Sequence, residues 1–304
     1  MSATHHDGRT EIMRSKLFVP ASQPALFPKA FASTADAICF DLEDSVLPTQ
    51  KAQARRNLRE VLASGFNPRQ TIIVRVNHVR SADFIDDLSA AVFPAVSVLT
   101  LPKVEDPSEI RDAAAVLLAL EKERNLEQPL AILVTIESPR GLRLAESIAT
   151  ADARVAGLQL GLADLFEPLG IQQNDMSAAH QVRFRLRLAA GEAGVPCFDS
   201  AFSNFKDEEG YVREAEMARS LGFAGKSCIH PDQIALANRI FSPSPEEIAA
   251  ALRCVEAARQ ASTAGSGAFA LDGHMIDEPF IRRAEAILQR AEKIRLLKRD
   301  GEES

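Results

Sequence analysis

The sequence predicts an α/β protein, a (β/α)8 TIM barrel with a C-terminal helical extension. Three observations carry that prediction. Eight strand-like runs alternate with helical patterns at spacings of about 20 to 35 residues. The clearest run, 131–137 (Ala-Ile-Leu-Val-Thr-Ile-Glu), is apolar without alternation, as expected of a strand buried on both faces in a parallel sheet. No G-x-G-x-x-G loop follows any strand, which counts against the competing doubly wound open sheet.

The elements follow in order. Residues 1–13 are polar and read as a flexible tail. A short strand over 16–20 is stopped by Pro20, and 23–31 is helical, entered through Pro24. The second strand, 37–41, runs into Leu42-Glu43-Asp44. A helix over 49–62 closes at Gly65, a residue suited to a C-terminal stop. The third strand is 71–77, the next helix 81–91 and the fourth strand 96–102. Asp106-Pro107 is a helix start, an N-cap acid with proline at the first helical position. That helix reaches Glu123 and buries Ile110, Ala113, Ala114, Leu117 and Leu120. The fifth and sixth strands are 131–137 and 157–164, each closed by an acid. A helix over 177–193 stops at Gly194, and 195–198 is a weak seventh strand. Asp207 caps a helix to Leu221, and 224–229 is the eighth strand.

The barrel therefore spans 14–242. The remaining residues, 243–304, are too few for a second domain and read as a helical lid or an arm onto a neighbouring subunit. Ser244-Pro245-Glu246-Glu247 is a capping box that starts a helix to about Gln260. Residues 262–268 are a flexible connector, 272–277 a polar turn, and 279–298 a final amphipathic helix.

Composition bounds the function. At 304 residues the chain has the length of one barrel, and 46% hydrophobic with 25% charged residues provides an ordinary core. A net charge of −7 gives no basic field for nucleic acid or an anionic membrane. No apolar run approaches the ~20 residues of a membrane span, and the N-terminus lacks an apolar signal core, so a cytoplasmic protein is expected. Cys39, Cys197, Cys228 and Cys254 form no C-x-x-C pair. Three of them lie in strand-like runs, as buried thiols do.

In a barrel, residues at the C-terminal strand ends face the active site. Here they are Asp41, Glu43, Asp44, Arg75, Asn77, Lys103, Glu137, Asp164, Asp199, Lys226 and His230. Lone acids after strands are commonly helix caps. Glu137 and Asp164, however, end adjacent parallel strands whose axes lie ~5 Å apart. Their carboxylates can converge on one hard cation, and Mg²⁺ accepts such a pair completed by water. Zinc is disfavoured because no His or Cys cluster is at hand. Arg75 ends a buried strand and needs a negative partner, either an internal carboxylate or an anionic substrate.

Taken together, several motifs resemble those of the citrate lyase β-subunit-like family of the HpcH/HpaI aldolase superfamily. They are Arg14-Ser-x-Leu-Phe-Val-Pro20, Asp41-Leu-Glu-Asp-Ser-Val46, Val74-Arg-Val-Asn77, Leu101-Pro-Lys-Val104, Ile136-Glu137-Ser-Pro-x-Gly141 and Gly161-Leu-Ala-Asp164. Gly222-Phe-x-Gly-Lys-x-Cys-Ile-His-Pro231 and Gly273-x-Met-Ile-Asp277 complete the set, and the likeness runs from Arg14 to about Arg283. Three departures are Pro20-Ala21, where relatives often have Pro-Gly, Asp199-Ser200 in place of a commoner Asp-Gly or Asp-x pattern, and Phe166-Glu167-Pro168 after Asp164, which is expected to reshape the keto-acid pocket.

The resemblance implies a Mg²⁺-dependent lyase that cleaves or forms a C–C bond between a 2-keto acid and an acyl-CoA-type thioester. It implies Glu137 and Asp164 as metal ligands and Arg75 as the contact to the reacting oxygens. Glu43 and Asp44 match acids beside the metal waters, and Gly161, Leu162 and Ala163 match a substrate-binding turn. Asp277 matches an acid/base aspartate of the tail that reaches a neighbouring subunit's site, in an expected homotrimer or hexamer. The competing reading of Asp277 is a helix N-terminal charge before Pro279.

Lys226 and His230 are candidates for a CoA phosphate, with a strand-end salt bridge or a backbone hydrogen bond as the alternative. The expected reaction is retro-Claisen cleavage of a malyl-, citramalyl- or citryl-CoA. The alternatives are a class II pyruvate aldolase on free hydroxy-keto acids, a thioesterase, and a citrate lyase subunit that works only with an acyl-carrier partner.

Overall fold

The computed structural model describes residues 12–65, 69–263 and 267–302, the last seven for backbone only. Eight parallel strands close into a barrel: β1 (Ser15–Pro20), β2 (Ala37–Asp41), β3 (Thr71–Arg75), β4 (Val98–Leu101), β5 (Ala131–Ile136), β6 (Val155–Leu160), β7 (Cys197–Asp199) and β8 (Gly225–Cys228). The helices of this unit are α1 (Phe27–Phe31), α2 (Lys51–Ala63), α3 (Phe84–Ala91), α4 (Pro107–Glu123), α5 (Pro139–Arg143), α6 (Ala145–Ala149), α7 (Leu162–Phe166), α8 (Met176–Glu192), α9 (Glu208–Ser220) and α10 (Asp232–Ile240).

The local chemistry matches the elements. Asp106 accepts from the Ser108 amide at 3.0 Å at the start of α4, whose Ile110, Ala113, Ala114 and Leu117 are buried, while Leu120 is half-buried. Asp175 caps α8 in the same way, accepting from the amides of Ser177 and Ala178 at 3.0 Å. The expected helix over 23–31 is instead a 3-10 turn, Pro24–Leu26, followed by the short α1, because Pro28 follows Pro24 within one turn. Of the tail expected over 1–13, residues 1–11 lie outside the described residues, whereas Ile12 and Met13 are buried and Met13 packs into the barrel core. Gly225 is required there, since a Cβ would collide with the Met13 carbonyl.

The register shows how the barrel is staggered. One hydrogen-bonded line runs Pro20, Asp41, Arg75, Thr100, Leu133. A second runs from Thr135 through Gln159, Phe198 and Gly225 and, one residue before the Ser15–Lys226 pair, reaches Arg14 just ahead of β1. The lines lie two residues apart on β5 and six apart on β1, a stagger of eight, the shear of a (β/α)8 barrel. Each step to a neighbouring strand then changes height by about one residue, so inward side chains of alternate strands share a level.

Three such layers fill the interior. Phe18, Arg75, Thr135 and Ser200 lie nearest the mouth, then Cys39, Thr100, Gln159 and Ser227, then Lys16, Ile73, Leu133 and Phe198. The lowest part is apolar, with Met13, Ala37, Val98 and Ala131 joining Ile73, Leu133 and Phe198.

The chain divides after Arg239 into two compact units. The second contains α11 (Pro245–Thr263), a hairpin of β9 (Phe269–Leu271) and β10 (His274–Ile276), and α12 (Glu278–Glu302). The capping box forms as expected: the Ser244 amide donates to Glu247 Oε2 at 2.7 Å and the Glu247 amide donates to Ser244 Oγ at 3.2 Å. Ala251, Cys254, Ile276 and Ala284 form this unit's core. The polar turn expected over 272–277 is in fact largely a β-hairpin, turned by Asp272-Gly273 with φ of 50° and 81°. Both central residues of such a tight hairpin turn need positive φ, which Asp-Gly supplies. Of the connector expected over 262–268, Ser262 and Thr263 belong to α11, and 264–266 lie outside the described residues. No described helix is long and apolar enough to cross a membrane.

Candidate active site

Glu137 follows β5 directly and is 4% exposed. Its Oε1 accepts from the Lys103 backbone amide at 2.6 Å. Burial, then the carboxylates of Asp164 and Glu43, push its pKa up to about 8. Asp164 does not end a strand as expected. β6 stops at Leu160, and Asp164 sits in the first turn of α7, reached through Gly161. Gly161 is the hinge of this arrangement. A Cβ there would collide with the Glu137 carboxylate, so only glycine lets the β6–α7 turn lie against that side chain.

Arg75 has an internal partner. Its Nε and Nη2 donate to Oδ1 and Oδ2 of Asp41, both at 2.7 Å, while Nη1 lies 3.1 Å from Glu43 Oε2 and 3.9 Å from Asp44. Against the effect of its burial, Arg75's hydrogen bonds and charge hold the Asp41 carboxyl below its usual range. Asp41 also accepts from the amides of Glu43 and Ser45 at 3.0 and 3.1 Å, which folds the β2–α2 turn so that Glu43 and Asp44 face the mouth.

Lys103 ties the two sides together. Its ammonium donates to Glu43 Oε1 at 2.5 Å and Asp44 Oδ1 at 2.8 Å, and its backbone holds Glu137. It does this at φ 56°, a left-handed conformation uncommon for a long side chain. Burial raises Glu43 to about 6, with the Asp44 carboxylate adding to the rise. Asp44 is held low by Lys103, Glu43 and Arg75 although burial opposes this.

Three carboxylates (Asp41, Glu43, Asp44) thus face two cationic side chains, Arg75 and Lys103, and two more, Glu137 and Asp164, face each other beside them. Among the described residues no group of three His, Cys, Asp or Glu side chains forms a complete metal-ligand set. The residues nevertheless fit a hard divalent ion. Glu137 is a buried carboxylate raised by its neighbours, and an oxygen-only set leaving positions for water and substrate is what Mg²⁺ takes.

Other expected site residues stand elsewhere. Lys226 is corrected: it is 1% exposed, points out of the barrel, and donates to Asp199 Oδ2 at 2.6 Å and Glu214 Oε2 at 3.2 Å. Arg183 completes that buried network, with Nε 2.8 Å from Asp199 Oδ1. The strand-end salt bridge is the reading that holds, and the lysine is out of reach of a CoA phosphate. Asp199 is its partner rather than a site acid. His230 is stacked on Phe205 at 5.0 Å in a cleft of about 340 Å³ that Asp207, Tyr211 and Gln233 also line.

Gly161 donates its amide to Ile136 at 3.0 Å, so it positions the turn, while Leu162 and Ala163 begin α7. Ala21, in place of the usual glycine, is buried with its amide on Asp41 at 2.9 Å and needs no positive φ. Phe166 is buried and 167–169 form a 3-10 turn. In the second unit, the Asp277 side chain is exposed at the start of α12, and its carbonyl accepts from the amides of Phe280 and Ile281.

Comparison with known proteins identifies the family of the chain. Residues 14–231 match the family described as HpcH/HpaI aldolase/citrate lyase. The chain is 36% identical over 294 residues to the citrate lyase subunit beta of Escherichia coli K12, covering 96% of this chain and 97% of that one. It is 33% identical over 303 residues to an L-malyl-CoA/beta-methylmalyl-CoA lyase of Cereibacter sphaeroides, covering 92% and 95%. Among solved structures, it is similar to the CitE protein of Mycobacterium tuberculosis in complex with magnesium, acetoacetate and coenzyme A. That likeness has 34% identity and a TM-score of 0.75 and covers 91% of this chain and 97% of that one.

Proposed function

The chain belongs to the HpcH/HpaI aldolase/citrate lyase family, and from that premise we propose that it is a Mg²⁺-dependent carbon–carbon lyase acting on a 3-hydroxyacyl-CoA thioester of the malyl, citramalyl or citryl type. The observation that carries the reading is the buried Glu137 carboxylate, faced by the carboxylates of Asp164 and Glu43.

Glu137 and Asp164 hold the metal in this reading. Bound there, magnesium supplies Lewis-acid polarisation of the substrate's carboxylate and hydroxyl oxygens and lowers the hydroxyl's pKa. Glu43, with a pKa near 6, is ionised at neutral pH and is the chain's base for the hydroxyl proton. As that proton leaves, the oxygen's electrons form the keto carbonyl and the C–C bond breaks. The bonding pair passes to the thioester as an enolate. Arg75, fixed by Asp41, presents Nη1 toward the mouth and stabilises the developing negative oxygen. Asp277 protonates the enolate carbon, from its own or a neighbouring subunit of a trimeric assembly. The first-turn amides of Leu162 and Ala163 contact the substrate carboxylate.

The test uses the purified chain alone with Mg²⁺ and malyl-, citramalyl- or citryl-CoA. Release of a 2-keto acid together with a shorter acyl-CoA, lost in Glu137→Gln, supports the proposal. Hydrolysis without keto acid would instead identify a thioesterase. A second reading, a subunit active only on an acyl carrier, is favoured by one observation: the match to citrate lyase subunit beta spans nearly that whole subunit. Silence on all three CoA thioesters, with turnover of the same acyl group on an acyl-carrier protein, would select it.

A further inference from the structure

Lys16 lies inside the barrel with its ammonium in an unusual setting. The residue is 2% exposed, and Nζ has no hydrogen-bond partner among the described residues. Among the described residues no carboxylate lies within ion-pair distance. Its charged and titratable surroundings are Cys39 and Asp41 on β2, Arg75 on β3 and Cys228 on β8. Of these, Asp41 is already committed to both nitrogens of Arg75 and to Ser45. Nζ sits 4.8 Å from the centroid of the Phe18 ring, and the Arg75 guanidinium lies 5.0 Å from the same centroid. One aromatic ring therefore serves two cations.

The side chains around it share its condition. Ser200 Oγ, Ser227 Oγ, Thr135 Oγ1 and Gln159 Oε1 are all buried and have no hydrogen-bond partner. Register places Lys16 opposite Ser227 and Thr135 opposite Gln159. These residues occupy the two layers immediately above the one from which Lys16 rises. Buried polar groups in native proteins are almost always satisfied, so a cluster of orphans marks a place that something else fills.

We propose that Lys16, with the hydroxyls of Ser200, Ser227 and Thr135, binds one small inorganic anion of the chloride class inside the barrel, beneath the Arg75–Asp41 pair. The donor inventory favours an anion. An ammonium offers three N–H donors and no acceptor, and although each hydroxyl can accept as well as donate, neither they nor Gln159 Oε1 carry a charge to balance it. The charge balance points the same way, because a buried charge is normally met by an opposite one. Burial, with Arg75 nearby, brings Lys16 down to about 8, which still leaves it cationic at neutral pH. Ile73, Leu133 and Phe198 share the layer of Lys16, and Phe18 lies against its ammonium, so the proposed ligand is a small, monatomic one. It takes the charge of Lys16 off Arg75 and leaves that guanidinium to Asp41 and the mouth.

The test is crystallographic. The full chain, crystallised without chloride and soaked in sodium bromide, is measured at the bromine absorption edge. A bromide peak in contact with Lys16 Nζ and at least one of the three hydroxyls, absent from Lys16→Met crystals, is the expected result. Ordered water at that position, with bromide at the surface only, overturns the proposal. A second measurement needs no variant. The melting temperature of the wild-type chain is compared in sodium chloride and sodium gluconate at equal ionic strength. A saturating rise specific to chloride is expected, and identical melting in the two salts overturns the proposal.

Discussion

Arg75 and Asp41 meet through two parallel hydrogen bonds of 2.7 Å on adjacent strands, and the carboxylate is fully buried. Arg75 thus has a structural partner and a functional face at once. Its Nε and Nη2 are consumed by Asp41, and Nη1 alone is turned toward Glu43 and Asp44. Arg75→Met would strand Asp41 without its counter-charge and is expected to destabilise the fold by ~3–5 kcal/mol. The double substitution Arg75→Met with Asp41→Asn removes both charges and should recover much of that loss by thermal unfolding. Its lyase activity should stay at least ~100-fold down, the usual loss when one oxyanion donor is removed. Recovery of activity along with stability would show that the arginine serves Asp41 alone.

Gly161 is needed for the space it leaves rather than for its backbone angle, which is φ −109°. Gly161→Ala sets a methyl group against the Glu137 carboxylate. Overpacking of this kind costs about 1–3 kcal/mol. The larger effect should appear in magnesium titration by calorimetry, where the displaced carboxylate weakens binding by an order of magnitude or more. Magnesium affinity equal to wild type would show that Glu137 is not placed by this contact.

Much of this was legible in the residues, and the exceptions have physical causes. The α4 start was readable because Asp106-Pro107 is a local signal that no tertiary contact overrides. Strands such as β5 were readable because their apolar runs lack alternation, and the weaker β7 and β8 because they recur at the spacing of the others. Asp164 was assigned to a strand end because Gly161-Leu-Ala continues the apolar run. Nothing in the sequence says that the chain has already turned into α7. Lys226 looked like a mouth residue because a strand's two faces differ by a single position, and that face is decided by its partners Asp199 and Glu214, which Arg183 also binds. The left-handed turn at Lys103 was hidden for a similar reason. Lysine rarely adopts it, and only Glu43, Asp44 and Glu137, all distant in sequence, hold it there.

The Lys226 assignment has its own test. In Lys226→Met, Asp199 and Glu214 would share Arg183 alone in a buried setting. A loss of ~3–5 kcal/mol in denaturant unfolding is expected. Below the melting transition KM for the thioester should be unchanged. A raised KM with unchanged stability would restore the lysine to the substrate site.

The pKa of Glu137 leads to the last prediction. Its folded value of about 8 lies above the ordinary 4.5. The folded metal-free chain therefore binds a proton that the unfolded chain has already released. Stability must then fall as pH rises from the unfolded value toward about 8, and level off above it. Magnesium competes with that proton, because only the carboxylate is a ligand, so its apparent affinity moves the opposite way. Between about pH 8 and about pH 6 the affinity should drop roughly 50-fold, the titration of one group of that pKa. Isothermal calorimetry in buffers of different ionisation enthalpy would measure both the affinity and the proton released on binding. Close to one proton is expected near pH 6. In Asp164→Asn a repelling charge is gone, so Glu137 titrates lower and less proton is released, while binding weakens through loss of the second ligand. Magnesium binding independent of pH across this range would mean that Glu137 is already ionised in the free protein and that its burial is compensated by some other charge.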